Sequence, residues 1–238
     1  MAVEVSKSQS QLSRIFKQWR RNRRAVVGAF ILMMIIFMAI FAPFVTRYEP
    51  QKQNMRNRLQ PPSAEHIFGT DQFGRDTYSR VVYGARLSLQ VGFFSIGMAL
   101  LIGCTLGLVA GYYGGVIDNV IMRVVDVLMA LPGFLLALSI VAALGPGLQN
   151  VVLAIGVSYI PSFARMMRSA VISTRELDYV DAARSLGAKD RRIILTHVLP
   201  NSISPIIVLT TLSMAGAILS AAGLSFLGMG AQPPTAEW

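Results

Sequence analysis

The chain has 238 residues, 53% of them hydrophobic and 14% charged, with a formal net charge of +10. Soluble domains carry about 25% charged residues, so the composition excludes an ordinary cytosolic enzyme. The class is then decided by whether the apolar residues form uncharged runs of about 20. Residues 25–45 form such a run, too long for the roughly 7–15 apolar residues of a signal-peptide core, and predict a retained first span. Residues 87–117 are also free of charge and predict the second. The run 127–164 is interrupted by GPGLQN at 145–150, which predicts two spans joined by a tight turn. The last run, 193–236, predicts a fifth span that starts near Pro200, a residue tolerated at a helix start, and ends before the Gln-Pro-Pro at 232–234. The expected fold class is an all-α polytopic membrane protein with five visible spans.

The positive charge invites a nucleic-acid reading, but its placement points to lipid instead. Lys7, Arg14, Lys17, Arg20, Arg21, Arg23 and Arg24 precede the first span, opposed only by Glu4. By the positive-inside rule the N-terminus is cytoplasmic. Counting spans then sets a basic cytoplasmic segment at 1–24, a first span at 25–45, an extracytoplasmic segment at 46–86 and a membrane core at 87–238. Within that core, 114–126 and 165–192 are expected inside and 145–150 outside. Segment 165–192 carries seven basic residues against four acidic ones, in agreement with the span count. Cys104 is the lone cysteine and falls in the second span, so no internal disulfide is possible.

Self-contained chemistry is not expected. The chain contains no GxxxxGK[ST] phosphate loop, no HExxH, no GxSxG and no cysteine pair. His66 and His197 fall on opposite sides of the membrane in this topology and cannot share a metal. In TDQFGRD, Asp71 and Asp76 stand five apart with Gly74 between. That pattern is read as a turn shaped by its Asp and Gly residues in preference to a cation site. Arg123 and Asp126, three apart, are expected to neutralise each other on one helix face. Small residues recur in the second span (Gly92, Gly97, Gly103, Gly107, Gly111) and in the fifth (Gly216, Ala217, Ser220, Ala221, Gly223), a pattern that lets membrane helices approach closely.

The most charged stretch is DYVDAARSLGAKDRRIILTHVLPN, residues 178–201. Leu177, Val180 and Ala183 or Arg184 follow helical spacing, and Asp181 can pair with Arg184. The first helix should end at Gly187, which adopts the left-handed conformation without steric cost. A second helix should begin near Asp190 and place Ile193, Ile194 and His197 roughly on one face, with Pro200 opening the next span. Ala182 and Ala183, on an exposed face, would let another protein come close. Two readings of this stretch stand side by side: a docking element, or an amphipathic loop on anionic lipid headgroups.

A resemblance separates them. DAARSLG at 181–187, followed thirteen residues later by Pro200 within HVLPN, resembles the EAA loop of ABC importer permeases. Asp181 stands for the Glu of that pattern, and His197 for an Ile, as in the peptide-importer branch. FGTDQFGRDTYSR at 68–80, RVVDVLMALP at 123–132 and GLSFLGMGAQPPTAEW at 223–238 are similar to the same branch.

The resemblance implies a type I ABC importer transmembrane domain forming half of a heterodimeric channel with a second, homologous permease. It further implies two cytoplasmic P-loop ATPases, which carry ATP and magnesium, and an extracytoplasmic solute-binding protein. This chain would bind no cofactor and perform no catalysis. Asp181, Ala182, Ala183, Arg184, Gly187, His197, Leu199 and Pro200 would belong to the ATPase-coupling loop at 176–200. Gly69, Asp71, Gly74, Arg75 and Asp76 would form an extracytoplasmic motif. The expected cargo is a di- or oligopeptide, with glutathione or nickel as alternatives. The rival of another class is a non-transporting membrane anchor for an ATPase. Family members carry a sixth span after the PPTAEW segment, so the chain is expected to be the retained part of a longer polypeptide.

Overall fold

The computed structural model describes residues 22–232 and 234–237. Lys7, Arg14, Lys17, Arg20 and Arg21 of the basic N-terminal stretch lie outside the described residues. The chain divides into two compact units, Met1–Arg86 and Leu87–Trp238. Among the described residues, regular structure is helical apart from an isolated antiparallel bridge between Thr70 and Asp76.

In the first unit, α1 (Arg23–Ile40) is capped by Asn22, whose side chain accepts the Ala25 N–H at 3.3 Å. Its apolar residues point in every direction, and Val27, Phe30, Met33, Phe37 and Ile40 remain exposed, as expected of a helix solvated by lipid. The expected uninterrupted span breaks at Phe41, where a second short helix, α2 (Ala42–Val45), begins. Pro43 is the cause, because it has no N–H and its ring crowds the carbonyl four residues back.

The stretch between α2 and α3 (Thr77–Tyr113) has little regular structure and is held by side chains. The Asp71 carboxylate accepts the N–H groups of Phe73 (2.8 Å) and Arg75 (3.0 Å) and the Nε–H of Arg75 (2.7 Å). Asp76 caps α3: its Oδ2 accepts the backbone N–H of Ser79 at 2.8 Å and the Ser79 hydroxyl at 2.7 Å. Its other oxygen lies 2.9 Å from Nδ1 of buried His66. Thr70 donates its hydroxyl to the Asn57 carbonyl and accepts the Gln60 N–H at 2.9 Å. Gly69 and Gly74 both have φ +70°, and a Cβ on Gly74 would collide with the Asn54 backbone. Burial alone would raise both carboxyl pKa values. The hydrogen bonds to Ser79 and His66 for Asp76, and to Arg75 and Phe73 for Asp71, outweigh burial and hold both below the usual carboxylate range.

In the second unit, the rest of α3 is followed by α4 (Gly115–Met129), α5 (Gly133–Leu144), α6 (Leu148–Arg175), α7 (Asp178–Ser185), α8 (Asp190–Ile193), a π turn (Ile194–Val198) and α9 (Leu199–Phe226). The core is centred on α6, which packs against α4, α5 and α9 and fully buries Ile155, Phe163, Met167 and Val171. Against α6 lies the small-residue face of α3. A Cβ on Gly103 would sit 2.7 Å from the Ile160 carbonyl, and one on Gly111 would sit 2.9 Å from the Arg168 carbonyl. Between them, a Cβ on Gly107 would collide with the Ala164 carbonyl and reach within 2.9 Å of the Arg168 nitrogen. These glycines recur every fourth residue on one helix face and bring the two backbones together, the membrane mode of helix packing. Gly97, grouped with them by composition, faces open space. Two buried serines in the bundle find partners: Ser95 donates to the Val152 carbonyl at 2.9 Å, and Ser202 to the Thr174 hydroxyl at 3.2 Å.

Among the described residues, four helices are long and apolar enough to cross a membrane, and a fifth crossing is made only if α4 and α5 count as one. The expected third span, starting near residue 127, is instead a pair of helices of 15 and 12 residues bent by 84°. At 1.5 Å per residue each is only about 18–22 Å long, short of a hydrocarbon core of roughly 30 Å. Pro132 makes the bend, since it cannot donate a helical bond and disfavours helix at the residue before it. The turn expected at 145–150 is present: Gly145 and Gly147 take φ +92° and +144°. The Asn150 side chain there donates to the Leu144 and Gly145 carbonyls at 3.2 and 3.0 Å.

Two outcomes follow from this packing. Gly107→Leu should destabilise the bundle by about 1–3 kcal/mol through overpacking, whereas Gly97→Leu should leave it unchanged; thermal unfolding in detergent measures both. In the segment before α3, the depressed pKa values of Asp71 and Asp76 mean that their stabilisation is present above the unfolded carboxylate value. It is lost as pH falls below about 4 and through the folded values. Amide exchange at Thr77 and Ser79 should therefore accelerate only below about pH 4, and Asp76→Asn should already show fast exchange at neutral pH.

Candidate functional site

The polar segment 176–200 leaves the end of α6 and turns into α7. Asp178 and Asp181 occupy its first turn and Arg184 its last, signs that suit the helix dipole. Arg184 also reaches back to Asp181 at 3.0 Å, the expected pair. Val180 is fully buried and anchors α7 to the core cluster. Ala182 is exposed, while Ala183 is half-buried and packs against that cluster. The expectation that both alanines share the outward face is thus corrected, because neighbouring helical positions differ by about 100°.

The helix closes at Gly187, which has φ +83°. Its N–H bonds to the Arg184 carbonyl at 2.9 Å, and the Ala188 N–H reaches the Ala183 carbonyl at 3.1 Å. This pair of bonds is a Schellman cap, which requires a left-handed residue at its corner. Leu186, just before the corner, is 89% exposed.

The second helix also departs from expectation. Instead of stopping before a new span, α8 runs through the π turn directly into α9, giving one helix over Asp190–Phe226. The Leu199 N–H bonds five residues back to Ile194, and this wider turn makes room for the Pro200 ring. Ile193 is buried, while Ile194 and Leu199 pack against the core from partly buried positions. His197 is partly buried, its ring 6.0 Å from that of Tyr179, and Asn201 ties the two by donating to the Tyr179 hydroxyl (3.1 Å) and the His197 carbonyl (2.6 Å). Pro200 is exposed. The angled pair of helices is therefore real, but its second limb is the end of a span.

Ion pairs at the margin were only partly foreseeable. Asp126 pairs with Arg165 at 2.8 Å rather than with Arg123. Arg168 grips Asp118 with two bonds of 2.5 Å. Both pairs tie α4 to α6, and the signal for them is the uncharged run 127–164, with acids before it and arginines after it. No such signal marks two longer links. Arg175 donates to the carbonyls of Gly111 (3.1 Å) and Tyr112 (2.8 Å) at the end of α3, and the Tyr112 hydroxyl donates to Asp190 at 2.7 Å.

The second candidate group, Gly69, Asp71, Gly74, Arg75 and Asp76, lies together in the scaffold before α3. Each carboxylate there is committed to hydrogen bonds within the turn, and both glycines have left-handed backbones. That is the turn reading, and the arrangement fixes the start of α3. Among the described residues, no group of three or more His, Cys, Asp or Glu side chains converges on a metal position.

Comparison with known proteins accords with this architecture. Residues 103–238 match the binding-protein-dependent transport system inner membrane component family, and residues 10–62 match the N-terminal transmembrane domain of oligopeptide transport permease C. The chain is 55% identical over 223 residues to a dipeptide transport system permease protein, DppC, of Alkalihalophilus pseudofirmus, covering 94% of this chain and 73% of that one. It is 44% identical to the di/tripeptide permease DppC of Pseudomonas aeruginosa, covering 96% and 78%. It is 45% identical to the glutathione permease GsiD of Escherichia coli, covering 92% and 74%. Among solved structures, the inward-facing MetNI methionine ABC transporter aligns with a TM-score of 0.55 at 20% identity, covering 63% of this chain and 76% of that one, a likeness of fold. A polytopic helical bundle with a polar elbow between α6 and α9 thus belongs to the binding-protein-dependent ABC importer permeases, in their dipeptide/oligopeptide branch.

Proposed function

We propose that the chain is one permease subunit of an importer that moves di- or oligopeptides across the cytoplasmic membrane. It pairs with a second, related permease to form the channel. Two cytoplasmic P-loop ATPases supply the energy with their own ATP and magnesium, and an extracytoplasmic binding protein delivers the cargo. The relatives named for dipeptide and di/tripeptide transport support the peptide reading. The glutathione permeases among them support glutathione, itself a small peptide, as the second reading. The excess of basic residues before α1 and in 165–192 supports a cytoplasmic N-terminus and a cytoplasmic polar elbow.

One observation carries the coupling role. The elbow is rigidly closed by its Gly187 cap, is anchored inward by Val180 and Ala183, and still presents Ala182 and Leu186 outward. A loop that merely rested on headgroups would not need a capped corner tied into the bundle core. An ATPase cleft receiving α7 would meet a small residue at 182 and a large apolar one at 186, with Asp181 and Arg184 beside them to set orientation.

In a reconstituted complex, Gly187→Val and Ala182→Arg should each reduce peptide uptake at least tenfold while leaving membrane insertion intact. The first opens the corner, since a side chain at positive φ costs about 1–2 kcal/mol or more. The second blocks the cleft and should lower ATPase co-purification. Normal uptake with full ATPase recovery in both variants would exclude the coupling role. Competition of labelled dipeptide uptake by glutathione separates the two cargo readings.

A further inference from the structure

We propose that Tyr112 is the positioning residue that links the coupling elbow to the membrane helices, a proposal that rests on the coupling role of segment 176–200. Tyr112 lies in the last turn of α3, is 6% exposed, and belongs to the buried core cluster. Its hydroxyl reaches 78 residues along the chain to Asp190, the first residue of α8, with a bond of 2.7 Å. The phenol is thus a peg between the end of α3 and the start of the second limb of the elbow. A phenol donating to a carboxylate is a charge-assisted bond, stronger than a neutral one.

The same residue is also held through its main chain. Arg175, the last residue of α6, donates to the main-chain carbonyls of Gly111 and Tyr112 at 3.1 and 2.8 Å, satisfying helix-end acceptors that have no partner within α3. Immediately above, Gly111, Gly107 and Gly103 seat α3 on the backbone of α6. A displacement of the elbow is therefore transmitted through the peg to α3 and, by the glycine contact, to α6. Without the peg, the elbow keeps its own connections to α6 and α9 but loses its side-chain tie to α3. The consequence is specific: ATP hydrolysis continues, but less of it is converted into transport.

The test uses the assembled complex of both permeases, both ATPases and binding protein in proteoliposomes, with Tyr112→Phe, Asp190→Ala and the double variant. The readout is labelled peptide taken up per ATP hydrolysed, measured beside ATPase co-purification. Phe keeps the ring and its packing, and Asp190 is exposed, so the variants should assemble. The expected result is wild-type ATPase recovery with a several-fold fall in uptake per ATP in each single variant, and no further fall in the double variant, because both remove one bond. An unchanged ratio in Tyr112→Phe would overturn the proposal, as would additive losses. A loss of ATPase co-purification in Tyr112→Phe would also overturn it, by showing a structural role. Failure of the coupling role itself is distinguishable, because Gly187→Val and Ala182→Arg would then transport normally.

Discussion

In lipid, packing one apolar helix against another does not remove apolar surface from water, so attraction between spans must come from close contact and polar bonds. The approach of α3 to α6 at Gly103, Gly107 and Gly111 is where this constraint is met. Backbones that touch directly leave no compliant side-chain layer between them. The arrangement of the other elements follows: α9 and α5 cover the remaining faces of α6, and the charged residues collect at the margin.

That margin organises the functional reading. Buried or half-buried ions near a membrane need partners, and here the partners are structural ties. Asp118 with Arg168 and Asp126 with Arg165 join α4 to α6, while Arg175 holds the end of α3. The bidentate Asp118 pair, more shielded from water than the exposed Asp126 pair, contributes more of this restraint. The elbow is thus joined to helices that these bonds tie together. Its corner depends on the left-handed backbone at Gly187, and the π turn lets its second limb continue into α9. A π turn at the junction absorbs the Pro200 ring without breaking the helix.

Local features were legible in the sequence because they depend on residues a few positions apart. Gly187 as a corner, Asp181 with Arg184, the glycines at 145 and 147, and the turn built by Asp71 and Gly74 are all of this kind. What was not legible depends on the partner brought near by the fold. Asp126 has Arg123 three residues away yet bonds Arg165, since α6 presents its guanidinium across the helix pair. Gly97 looks like Gly103 in the sequence but faces no neighbour. The 84° bend after Met129 was hidden in an uncharged run whose composition indicates only that it is apolar. Tyr112 and Asp190 could not be paired by any spacing rule, and Ala183 could not be assigned an inward face until Val180 fixed the rotation of α7.

The proposed coupling role requires an ATPase, and not the lipid surface, to receive the outward face of the elbow. A photo-reactive residue placed at Leu186 in the assembled complex tests it most directly, since that side chain is free of packing within the chain. A covalent adduct with an ATPase subunit is expected as the main product. Adducts with lipid alone, in a complex that retains its ATPases, would contradict it.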